Sequence, residues 1–451
     1  MSRAFALARR ALEGLGDWRG RAKAELDRSL GGLQGPDAPR ASELVYGVVR
    51  RRRTIHALLG SVARRSLKGR TGDVAWALEL GAYALVYQEG AHRERAVEDA
   101  LSILEGGKKP RAHVERALAA LSAAFEGDPV AEVDPTLVES GRAVPVRRGS
   151  WQRFREPVVP LEGASAARKL ALLHSYPDEL VSAWIEEHGD LASELCVAGN
   201  DPPPLFLRAG RIGPDELVKR LASEDLLAKA RPDLGPHVVL LEGGRSGFRE
   251  SPAFREGLFV VQDATAQEAA HLLDPRPGER ILDLCAAPGG KTTYLAELTR
   301  DEATIVATDF SAGRLRKVEE TARRLGLRSI TTRALDARRP DALGGERFDA
   351  VLVDAPCSNT GVLRRRPEAR WRYSPKSQRK IVATEEQILA TALRLVKPGG
   401  RLVYSVCSIE PEEGKGLVAK LGLTPEREIL RLPRPDGGDG GYAALVRFPV
   451  A

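Results

Sequence analysis

The sequence predicts an α/β protein whose C-terminal part, residues 251–451, is a doubly wound, mostly parallel sheet. Three observations support this prediction. After residue 251, apolar segments of strand length alternate with helical segments, a glycine-rich turn follows the first major strand, and acidic or cysteine residues follow the others. Strands that alternate with helices usually pair in parallel under helices on both faces. Ligands of such sheets bind at the carboxyl ends of the strands, so we expect the functional site there.

Residues 1–135 have the pattern of a helical bundle. Apolar residues recur at helical spacing, as in residues 74–87 (VAWALELGAYALVY), and Gly/Pro breaks separate the segments. Strand alternation is missing from this sequence pattern. The arginine run at 50–53 indicates either an RNA-binding face or the solvated end of a helix. The sequence therefore predicts an all-α domain for residues 1–135.

Residues 136–250 differ in composition from both flanking regions. Proline becomes frequent, and strand-like segments at 205–208 and 238–241 alternate with helical segments at 170–188 and 214–223. This mixture predicts a small α+β module, acting as a linker or as an RNA-binding part.

The elements of the C-terminal part follow in a regular order. Strand-like segments are at 280–285, 305–309, 329–333, 348–354 and 401–406, and helical segments at 291–299, 312–325 and 377–396. Each strand is short and rich in β-branched or aliphatic residues, which is typical of a parallel sheet buried on both faces.

Composition restricts the class of protein. The chain has 451 residues, of which 43% are hydrophobic, and no apolar run approaches the roughly 20 residues of a membrane span. The four cysteines are far apart and lack metal-ligand spacing, so we expect neither a zinc site nor a disulfide framework. Free thiols without a secretion signal predict a cytoplasmic location. A net charge of +7 favours a polyanionic partner, although an ordinary solvated surface has a similar excess.

Residues 281–293 (ILDLCAAPGGKTT) predict a strand, a glycine-rich turn and a helix. Gly289 and Gly290 allow close approach of a ligand to the backbone, and the helix offers its positive end. Neither the G-x-G-x-x-G spacing of dinucleotide enzymes nor the G-x-x-x-x-G-K-[ST] spacing of phosphate loops is present. This argues against NAD or ATP as the ligand, and therefore against a dehydrogenase.

Two acids follow neighbouring strands of the predicted sheet. Asp309 ends the second strand about twenty residues after Gly290, where an acid commonly binds a ribose diol. Together with a turn that is not built for a pyrophosphate, it favours S-adenosylmethionine as the cofactor. Asp336 follows the third strand and is a candidate acceptor for the adenine amine. The alternatives are a helix N-cap at Asp309 and a turn residue at Asp336.

Two cysteines come just after buried strands. Cys357 lies in Asp354-Ala-Pro-Cys357 and Cys407 in residues 402–408 (LVYSVCS). A thiol beside a methyl donor indicates methylation of a poorly nucleophilic carbon, such as carbon 5 of a pyrimidine. A thiolate adds to carbon 6, which activates carbon 5, and later leaves when a base removes the carbon-5 proton. The alternative for each cysteine is a small core residue. The residues alone leave open which thiol attacks.

These segments resemble RNA cytosine-5 methyltransferases of the nucleolar-protein/Sun type, whose catalytic domain has the Rossmann-like class I methyltransferase fold. The matching segments are 261–267 (VQDATAQ), 285–291 (CAAPGGK), 354–361 (DAPCSNTG) and 404–413 (YSVCSIEPEE). The N-terminal part, through 43–50 (ELVYGVVR), resembles the bundle of the antitermination factor NusB. The order of bundle, middle module and catalytic domain is similar to that of bacterial enzymes of this family that act on small-subunit ribosomal RNA.

The resemblance implies roles for individual residues. It makes Cys407 the attacking nucleophile, Cys357 the thiol that assists release of the product, and Asp354 a hydrogen-bond partner of the target base. It also implies that the following residues bind S-adenosylmethionine or line its pocket: Cys285, Ala286, Ala287, Pro288, Gly289, Gly290, Lys291, Asp309, Asp336 and Asp354. One departure is Gly441, which stands where the family usually has an aromatic residue and so removes a packing group.

Residues 361–380 are the candidate RNA-facing surface. The segment holds eight basic residues and one acid, with Trp371 and Tyr373 between them. Basic side chains interleaved with aromatic rings are typical of single-stranded RNA binding. We assign Arg364, Arg365, Arg366 and Trp371 to this surface and expect neutralisation of the three arginines to flatten the salt dependence of RNA binding. The alternative is a solvated loop.

The sequence therefore predicts an S-adenosylmethionine-dependent methyltransferase acting on carbon 5 of a cytosine in small-subunit ribosomal RNA. A transfer RNA substrate is an alternative. So is a non-catalytic RNA-binding assembly factor, although the presence of both cysteines and Asp354 argues against it. The expected partner is ribosomal RNA, without a membrane, a metal or a second subunit.

Overall fold

The computed structural model describes residues 2–16, 20–32, 35–63, 72–90, 92–105, 107–243, 247–339 and 341–450. The chain divides into two compact units. The N-terminal unit comprises Met1–Pro202 and Leu363–Ser374, and the C-terminal unit comprises Pro203–Val362 and Pro375–Ala451. Among the described residues, no helix combines the length and the apolar character needed to cross a bilayer.

The N-terminal unit is mainly helical. Its helices are α1 (Arg3–Leu15), α2 (Ala22–Leu30), α3 (Asp37–Ala63), α4 (Asp73–Tyr87), α5 (Arg93–Leu101), α6 (Lys108–Ala123), α7 (Pro135–Glu139), α8 (Ala166–His174), α9 (Asp178–His188) and α10 (Leu191–Ala198). A hairpin of β1 (Ala143–Arg147) and β2 (Ser150–Arg153) follows α7. Helix α4 is buried on nearly every side, which explains its alanine-rich, apolar sequence. It packs closely on α3, because a Cβ at Gly47 would overlap the ring of Tyr83.

The C-terminal unit begins with a small antiparallel sheet. Its strands are β3 (Leu205–Ala209), β4 (Ala228–Ala230), β5 (Val238–Leu241) and β6 (Phe259–Val261), with α11 (Pro214–Ala222) and α12 (Pro252–Arg255) between them. Within the described residues, the strand order is β4-β5-β3-β6. One core of this sheet contains Leu207, Val239 and Phe259 packed against Leu217 of α11.

A larger mixed sheet completes the C-terminal unit. It consists of β7 (Arg280–Asp283), β8 (Thr304–Asp309), β9 (Ile330–Ala334), β10 (Phe348–Asp354), β11 (Val396–Val406), β12 (Arg427–Arg431) and β13 (Gly441–Arg447). The helices are α13 (Ala264–Leu273), α14 (Gly290–Leu298), α15 (Ala312–Leu325), α16 (Pro375–Arg394) and α17 (Lys415–Lys420). Across the described strands the order is β12-β13-β11-β10-β7-β8-β9.

The parallel part of this sheet brings the predicted site residues to one edge. Strand β10 pairs in parallel with both β7 and β11, with Leu352 opposite Asp283 and Asp354 opposite Ser405. Strand β8 pairs in parallel with β7 and β9. Because the carboxyl ends of parallel strands meet at one edge, the segments after β7, β10 and β11 become neighbours.

The boundary between the two units follows Pro202 and so divides the predicted middle module, residues 136–250. Its second half joins the C-terminal unit because β3 pairs with β6, which lies beyond residue 251. Its first half belongs to the N-terminal unit, where the Thr54 hydroxyl donates a 2.7 Å hydrogen bond to the carbonyl of Leu172. The pairing of a short strand with a distant one is a tertiary contact that local sequence pattern does not reveal.

Candidate active site

The glycine-rich turn connects β7 to α14. Gly289 precedes the first residue of α14 with a φ of +103°, and a Cβ at this position would lie 3.0 Å from the Cα of Val318 in α15. Both the dihedral angle and the close approach of α15 require glycine. The turn therefore presents bare backbone at the N-terminus of α14, as the sequence predicts.

We expect Gly289→Ala to lower the free energy of unfolding by about 3 kcal/mol, against about 1 kcal/mol for Gly278→Ala. Gly278 is the matched control because its φ is +81° but a Cβ there would meet no atom within 4 Å. Denaturant unfolding measures both losses, and equilibrium binding of S-adenosylmethionine should weaken only in Gly289→Ala. Equal losses in the two variants would contradict the close approach to Val318.

Asp283 is a fully buried acid at the end of β7. Its Oδ2 accepts a 2.6 Å hydrogen bond from Thr292, while its Oδ1 has no hydrogen-bond partner among the described residues. Burial is the main reason that the pKa of Asp283 rises to about 7, and the charge of Asp354 raises it further. A carboxyl group with an unused oxygen beneath the turn is available to a polar ligand atom.

Lys291 joins the turn to the end of β10. Its Nζ lies 2.8 Å from Oδ1 of Asp354. Burial alone would lower the pKa of Lys291, but the charges of Asp354 and Cys407 outweigh it and raise the pKa above its ordinary value. Lys291 is therefore a permanent cation next to Asp354 and within electrostatic reach of Cys407.

The other two predicted acids are each bound to an arginine. Asp309 ends β8, is buried, and lies 2.9 Å from Arg314, while its Oδ1 accepts a hydrogen bond from the backbone N–H of Ser311. Asp336 accepts two hydrogen bonds from the side chain of Arg338 and one from its backbone, which hold its pKa at about 2. Both remain at the expected edge of the sheet. The N-cap of α15 is Ser311 rather than Asp309, whereas Asp336 does have the turn role given above as its alternative.

Arg208 is a site residue that the sequence did not reveal. It is 0% exposed and donates hydrogen bonds to Glu297 and Thr293 in α14 and a 2.6 Å bond to the carbonyl of Gly290. Its guanidinium also lies over the ring of Tyr294, 4.5 Å from the centroid. An arginine within the apolar strand LFLRA was the only available signal. Through these contacts Arg208 holds the first turn of α14 in position.

Hydrogen bonds join the two cysteine segments. The N–H of Gly361 donates to the carbonyl of Cys407 at 3.1 Å. The hydroxyl of Ser408 lies 3.1 Å from that of Ser358 and 3.0 Å from that of Thr360. The serine that follows each cysteine therefore belongs to one network, and the positions of the two thiols are coupled.

Two thiols at this edge of the sheet have a pKa above that of an ordinary cysteine. Burial raises the pKa of Cys285 far above its usual range, so this thiol is neutral and serves as packing. Burial also raises the pKa of Cys357, with further contributions from Cys407 and Glu413. Cys357 is therefore held as a neutral thiol in the resting protein.

A cavity of about 90 Å³ lies against Cys407. Lys291, Asp263 and Thr265 line it, together with Gly441 at the start of β13. A Cβ at Gly441 would lie 2.9 Å from the carbonyl oxygen of Val406, so the backbone approaches β11 closely here. Gly441, the residue that departs from the family pattern, thus lines the same cavity as Cys407 and Lys291 of the glycine-rich turn, called the cofactor turn below.

Comparisons with known proteins give the family of this chain. Residues 270–437 match the family model described as 16S rRNA methyltransferase RsmB/F. A probable ribosomal RNA small subunit methyltransferase B from Synechocystis is 33% identical over 86% of this chain and 81% of its own length. Ribosomal RNA small subunit methyltransferase B from Klebsiella pneumoniae is 33% identical over 90% of this chain and 89% of its own length.

The chain belongs to the ribosomal RNA small subunit methyltransferase B family. The resemblance inferred from the sequence is thereby confirmed, as is the assignment to the S-adenosylmethionine-dependent methyltransferases. NSun6 from Pyrococcus horikoshii, solved with the S-adenosylmethionine analogue SFG, shares the fold, with a TM-score of 0.55 and 21% identity over 60% of this chain and 98% of that one.

The residues present fit S-adenosylmethionine. The turn at Gly289 leaves the space that a side chain would fill, and the buried Asp283 has an oxygen without a partner. Lys291 of the turn is paired with Asp354, so carboxylates and bare backbone are the groups left for a ligand, which suits an adenosine with a sulfonium. Among the described residues, no group of three or more His, Cys, Asp or Glu side chains is arranged to hold a metal ion.

Acids follow the second cysteine in the sequence, and one of them, Glu413, lies close to Cys357. Glu413 accepts a 2.7 Å hydrogen bond from the N–H of Ser358, and both Glu413 and Glu385 of α16 are fully buried. Burial, and then the charge of Glu413, raise the pKa of Glu385 to about 10. Glu385 is therefore protonated at neutral pH in the folded protein.

We expect Glu385→Gln to reduce the pH dependence of stability. Between about pH 5 and pH 10 the folded protein binds the Glu385 proton and the unfolded chain does not, so stability falls as the pH rises. Glutamine mimics the protonated acid and removes this loss. Thermal unfolding should show a higher midpoint than wild type at pH 9, with little difference at pH 5.

The control for this prediction is Glu386→Gln, because the Glu386 side chain is partly exposed and pairs with Lys420. A surface pair contributes only tenths of a kcal/mol. Glu413 still contributes to the pH dependence of stability in both variants. In Glu385→Gln the slope of stability against pH should therefore decrease without vanishing. Parallel pH profiles for wild type and both variants would show that Glu385 is ionised in the folded state.

The basic segment differs from the predicted RNA-facing surface. Leu363–Ser374 packs within the N-terminal unit, where Arg364 is 1% and Arg370 is 0% exposed. Arg50 donates a 2.6 Å hydrogen bond to the carbonyl of Arg364, and the indole of Trp371 donates to the carbonyl of Val49. The prediction that Arg364 contacts phosphates is therefore wrong for this conformation, because the side chain is buried.

The rest of that assignment stays a prediction. Arg365, Arg366 and Trp371 are half-buried, so part of each side chain reaches the surface. Arg370 explains why the segment is held: its guanidinium donates to the carbonyls of Ser175 and Gly199. A basic run that looked like a solvated or RNA-binding loop thus contains internal structural arginines.

Proposed function

We propose that this chain transfers a methyl group from S-adenosylmethionine to carbon 5 of a cytosine in small-subunit ribosomal RNA. The observation that carries the proposal is the coupling of the two cysteine segments through Ser358, Ser408 and Thr360 beside the cofactor turn. One catalytic cysteine suffices for adding to carbon 6. A second thiol held in a fixed relation to the first indicates that release of the product is also catalysed.

The cofactor would be held by the turn 285–291 and by Asp309 and Asp336, with Asp283 beneath. When bound, S-adenosylmethionine supplies an electrophilic methyl group. The protein supplies the rest: Gly289 and Gly290 offer backbone, and Arg208 holds the Gly290 carbonyl in place. Preorganised groups of this kind require no rearrangement during the reaction.

Cys407 is the proposed nucleophile. The cation of Lys291 favours the thiolate form of a neighbouring cysteine. Its sulfur forms a bond to carbon 6 of the cytosine, and the electron pair of the 5,6 double bond becomes available at carbon 5 for the methyl group. Asp354, which pairs with Lys291, is the proposed acceptor of a hydrogen bond from the amine of the base.

Cys357 is the proposed assistant in release. The Cys407 charge is one of the causes that raise the pKa of Cys357, and that charge disappears when the sulfur becomes a thioether. Burial keeps the Cys357 pKa high, but the remaining shift is smaller. Loss of that charge lowers the pKa of Cys357, so Cys357 releases its own proton to solvent more readily in the covalent intermediate. The resulting thiolate takes the carbon-5 proton, the electrons of that C–H bond re-form the 5,6 double bond, and Cys407 leaves carbon 6 as a thiolate.

The remaining assignments complete the proposal. Small-subunit ribosomal RNA is the preferred substrate because the relatives of the chain carry that name. The helices α1 to α6 support a NusB-like RNA-binding bundle in residues 1–135. The proposed enzyme is a cytoplasmic monomer.

The test is methyl transfer from labelled S-adenosylmethionine to ribosomal RNA that lacks its modifications, followed by nucleoside analysis. Label in 5-methylcytidine of the small-subunit RNA is the expected result. A parallel reaction uses unmodified transfer RNA. If label appears only in transfer RNA, transfer RNA is the substrate instead of ribosomal RNA. If there is no label and no adduct forms on 5-azacytidine-containing RNA, a non-catalytic assembly factor is favoured.

A further inference from the structure

The N-terminal unit contains a second cavity, unrelated to the methyl-transfer chemistry. Its volume is about 280 Å³, and it lies between α3, the β1–β2 hairpin and the ends of α8 and α10. That is near the lower end of the range for small-ligand sites, and far too small for a nucleic-acid duplex. The lining residues that matter here are Arg51, Arg147, Arg148, Trp151, His174 and Asp201.

Arg51 gives this cavity an unused donor. Its side chain is 6% exposed, its Nη2 donates a 2.9 Å hydrogen bond to the carbonyl of Val146, and its Nη1 has no hydrogen-bond partner among the described residues. A buried guanidinium N–H without an acceptor costs free energy, since the group has lost water without compensation. An anionic ligand in the cavity would satisfy it.

The rim of the cavity adds cations and a ring. Arg147 and Arg148 lie at the tip of the hairpin and are exposed, and Arg148 forms a 2.9 Å ion pair with Asp201. Trp151 is the second residue of the return strand β2 and is half-buried, so one part of the indole is open. Arginines that bind phosphates beside an aromatic ring that stacks on a base are the elements of single-stranded nucleic-acid recognition.

The floor of the cavity is polar and pH-insensitive. Burial, and then the charges of Arg51 and Arg370, lower the pKa of His174 to about 3, so this ring is neutral throughout the physiological range. Its backbone carbonyl accepts a 2.7 Å hydrogen bond from Asn200. The positive charge therefore comes from the arginines, and Glu194 lines the cavity as an acceptor for a base amine.

We propose that this cavity binds one nucleotide of a single-stranded segment of the RNA substrate, with its phosphate at Arg51 and Arg148 and its base on Trp151. The proposal rests on the proposed function in one respect, namely that the polymer is RNA. It adds a specific contact site in the N-terminal unit that is independent of the cytosine undergoing reaction. The interaction anchors the substrate by a nucleotide outside the active site.

The test uses the full-length protein and a 4-thiouridine-containing single-stranded fragment of ribosomal RNA. Equilibrium titration at several salt concentrations gives the dissociation constant and the salt slope, and photo-crosslinking maps the contact. We expect Arg148→Gln to reduce the salt slope by about one and to weaken binding. We expect Trp151→Leu to weaken it about tenfold. A crosslink should fall on the β1–β2 hairpin.

Arg95→Gln is the matched control, because Arg95 is also an exposed arginine that pairs with an aspartate in the N-terminal unit, but it does not line the cavity. Arg95→Gln should change neither the dissociation constant nor the salt slope. Arg148→Gln alters only a surface side chain, so it tests the cavity even if Trp151→Leu unfolds. Unchanged binding in both variants, with crosslinks elsewhere, would overturn the proposal.

The two proposals fail in different ways. If the wild type transfers methyl groups and both Arg148→Gln and Trp151→Leu bind RNA normally, the proposed nucleotide site is overturned and the enzyme assignment stands. Hairpin crosslinks and weakened binding in the variants, without methyl transfer by wild type, would support the cavity and remove the catalytic assignment. A competing mononucleotide, cytidine monophosphate, should displace the crosslink only at high concentration, because a single nucleotide lacks the flanking contacts.

Discussion

We expect Cys407→Ala to abolish methyl transfer and to form no covalent adduct with RNA. The thiolate supplies the bond to carbon 6 without which carbon 5 is too weak a nucleophile, so the loss should be on the order of 10⁴-fold or more. Nothing else on the cavity that Cys407 shares with Lys291 replaces a sulfur nucleophile. The measurement is incorporation of labelled methyl groups, with a denaturing gel for protein–RNA adducts.

Cys357→Ala should behave in the opposite way. Its nucleophile is intact, so the bond to carbon 6 forms and the methyl group transfers, but the carbon-5 proton loses its acceptor. Adduct should therefore accumulate, and turnover should fall even though a first methyl group is transferred. A rapid single-turnover measurement separates these two quantities.

The controls are the other two cysteines. Cys196 is buried and burial raises its pKa to about 12, so Cys196→Ala should leave turnover and adduct unchanged if the protein folds. Cys285→Ser adds a polar atom to the cofactor turn and should affect the KM for S-adenosylmethionine more than the adduct. If Cys357→Ala is the variant without adduct, the roles of the two thiols are reversed.

The parallel strands of the catalytic sheet were predictable because each is a continuous apolar run ending in a functional residue. Residues 348–354 and 312–325 match β10 and α15, and the remaining predicted strands and helices of this part differ by a few residues at their ends. Short buried strands and an amphipathic helix leave a strong local signal. The order of strands and helices predicts that the carboxyl ends of the parallel strands share one edge, which is why Lys291, Asp354, Cys357 and Cys407 could be expected there.

What the sequence did not reveal depends on distant contacts. Strands β12 and β13 were not predicted as part of the sheet, because β12 is mostly exposed and β13 pairs antiparallel with β11. Arg364 looked like a phosphate contact because charge patterns carry no information on burial. The ion pairs of Asp309 and Asp336 likewise became visible only once the neighbouring arginines were placed.

The second large effect is expected at Arg208. Arg208→Met should lower the free energy of unfolding by about 3–5 kcal/mol, the range measured when one partner of a buried ion pair is removed. The reason is Glu297, whose carboxylate lies 2.8 Å from the guanidinium and is almost buried. Without Arg208 this acid must be ionised with no partner, or protonated.

The pH dependence identifies the cause. Burial raises the pKa of Glu297, and Arg208 is the largest influence that lowers it. Removing Arg208 raises this pKa further, so the variant's folded state holds a proton that the unfolded chain releases. Its stability relative to wild type should therefore worsen from pH 5 to pH 8. Denaturant unfolding at the two pH values measures this, and Arg208→Met/Glu297→Gln should recover part of the loss at pH 8.

Arg220→Met is the control, since Arg220 also forms ion pairs with glutamate, here Glu224 and Glu256, but is partly exposed. Its loss should cost no more than about 1 kcal/mol. Arg208 differs because the Gly290 carbonyl at the start of α14 is also its acceptor. A folded Arg208→Met should thus show a higher KM for S-adenosylmethionine with little change in kcat, whereas a purely structural loss would lower the active fraction and leave KM unchanged. An effect no larger than that of Arg220→Met would mean that the cofactor turn is held without Arg208, and that the buried pair is a by-product of packing.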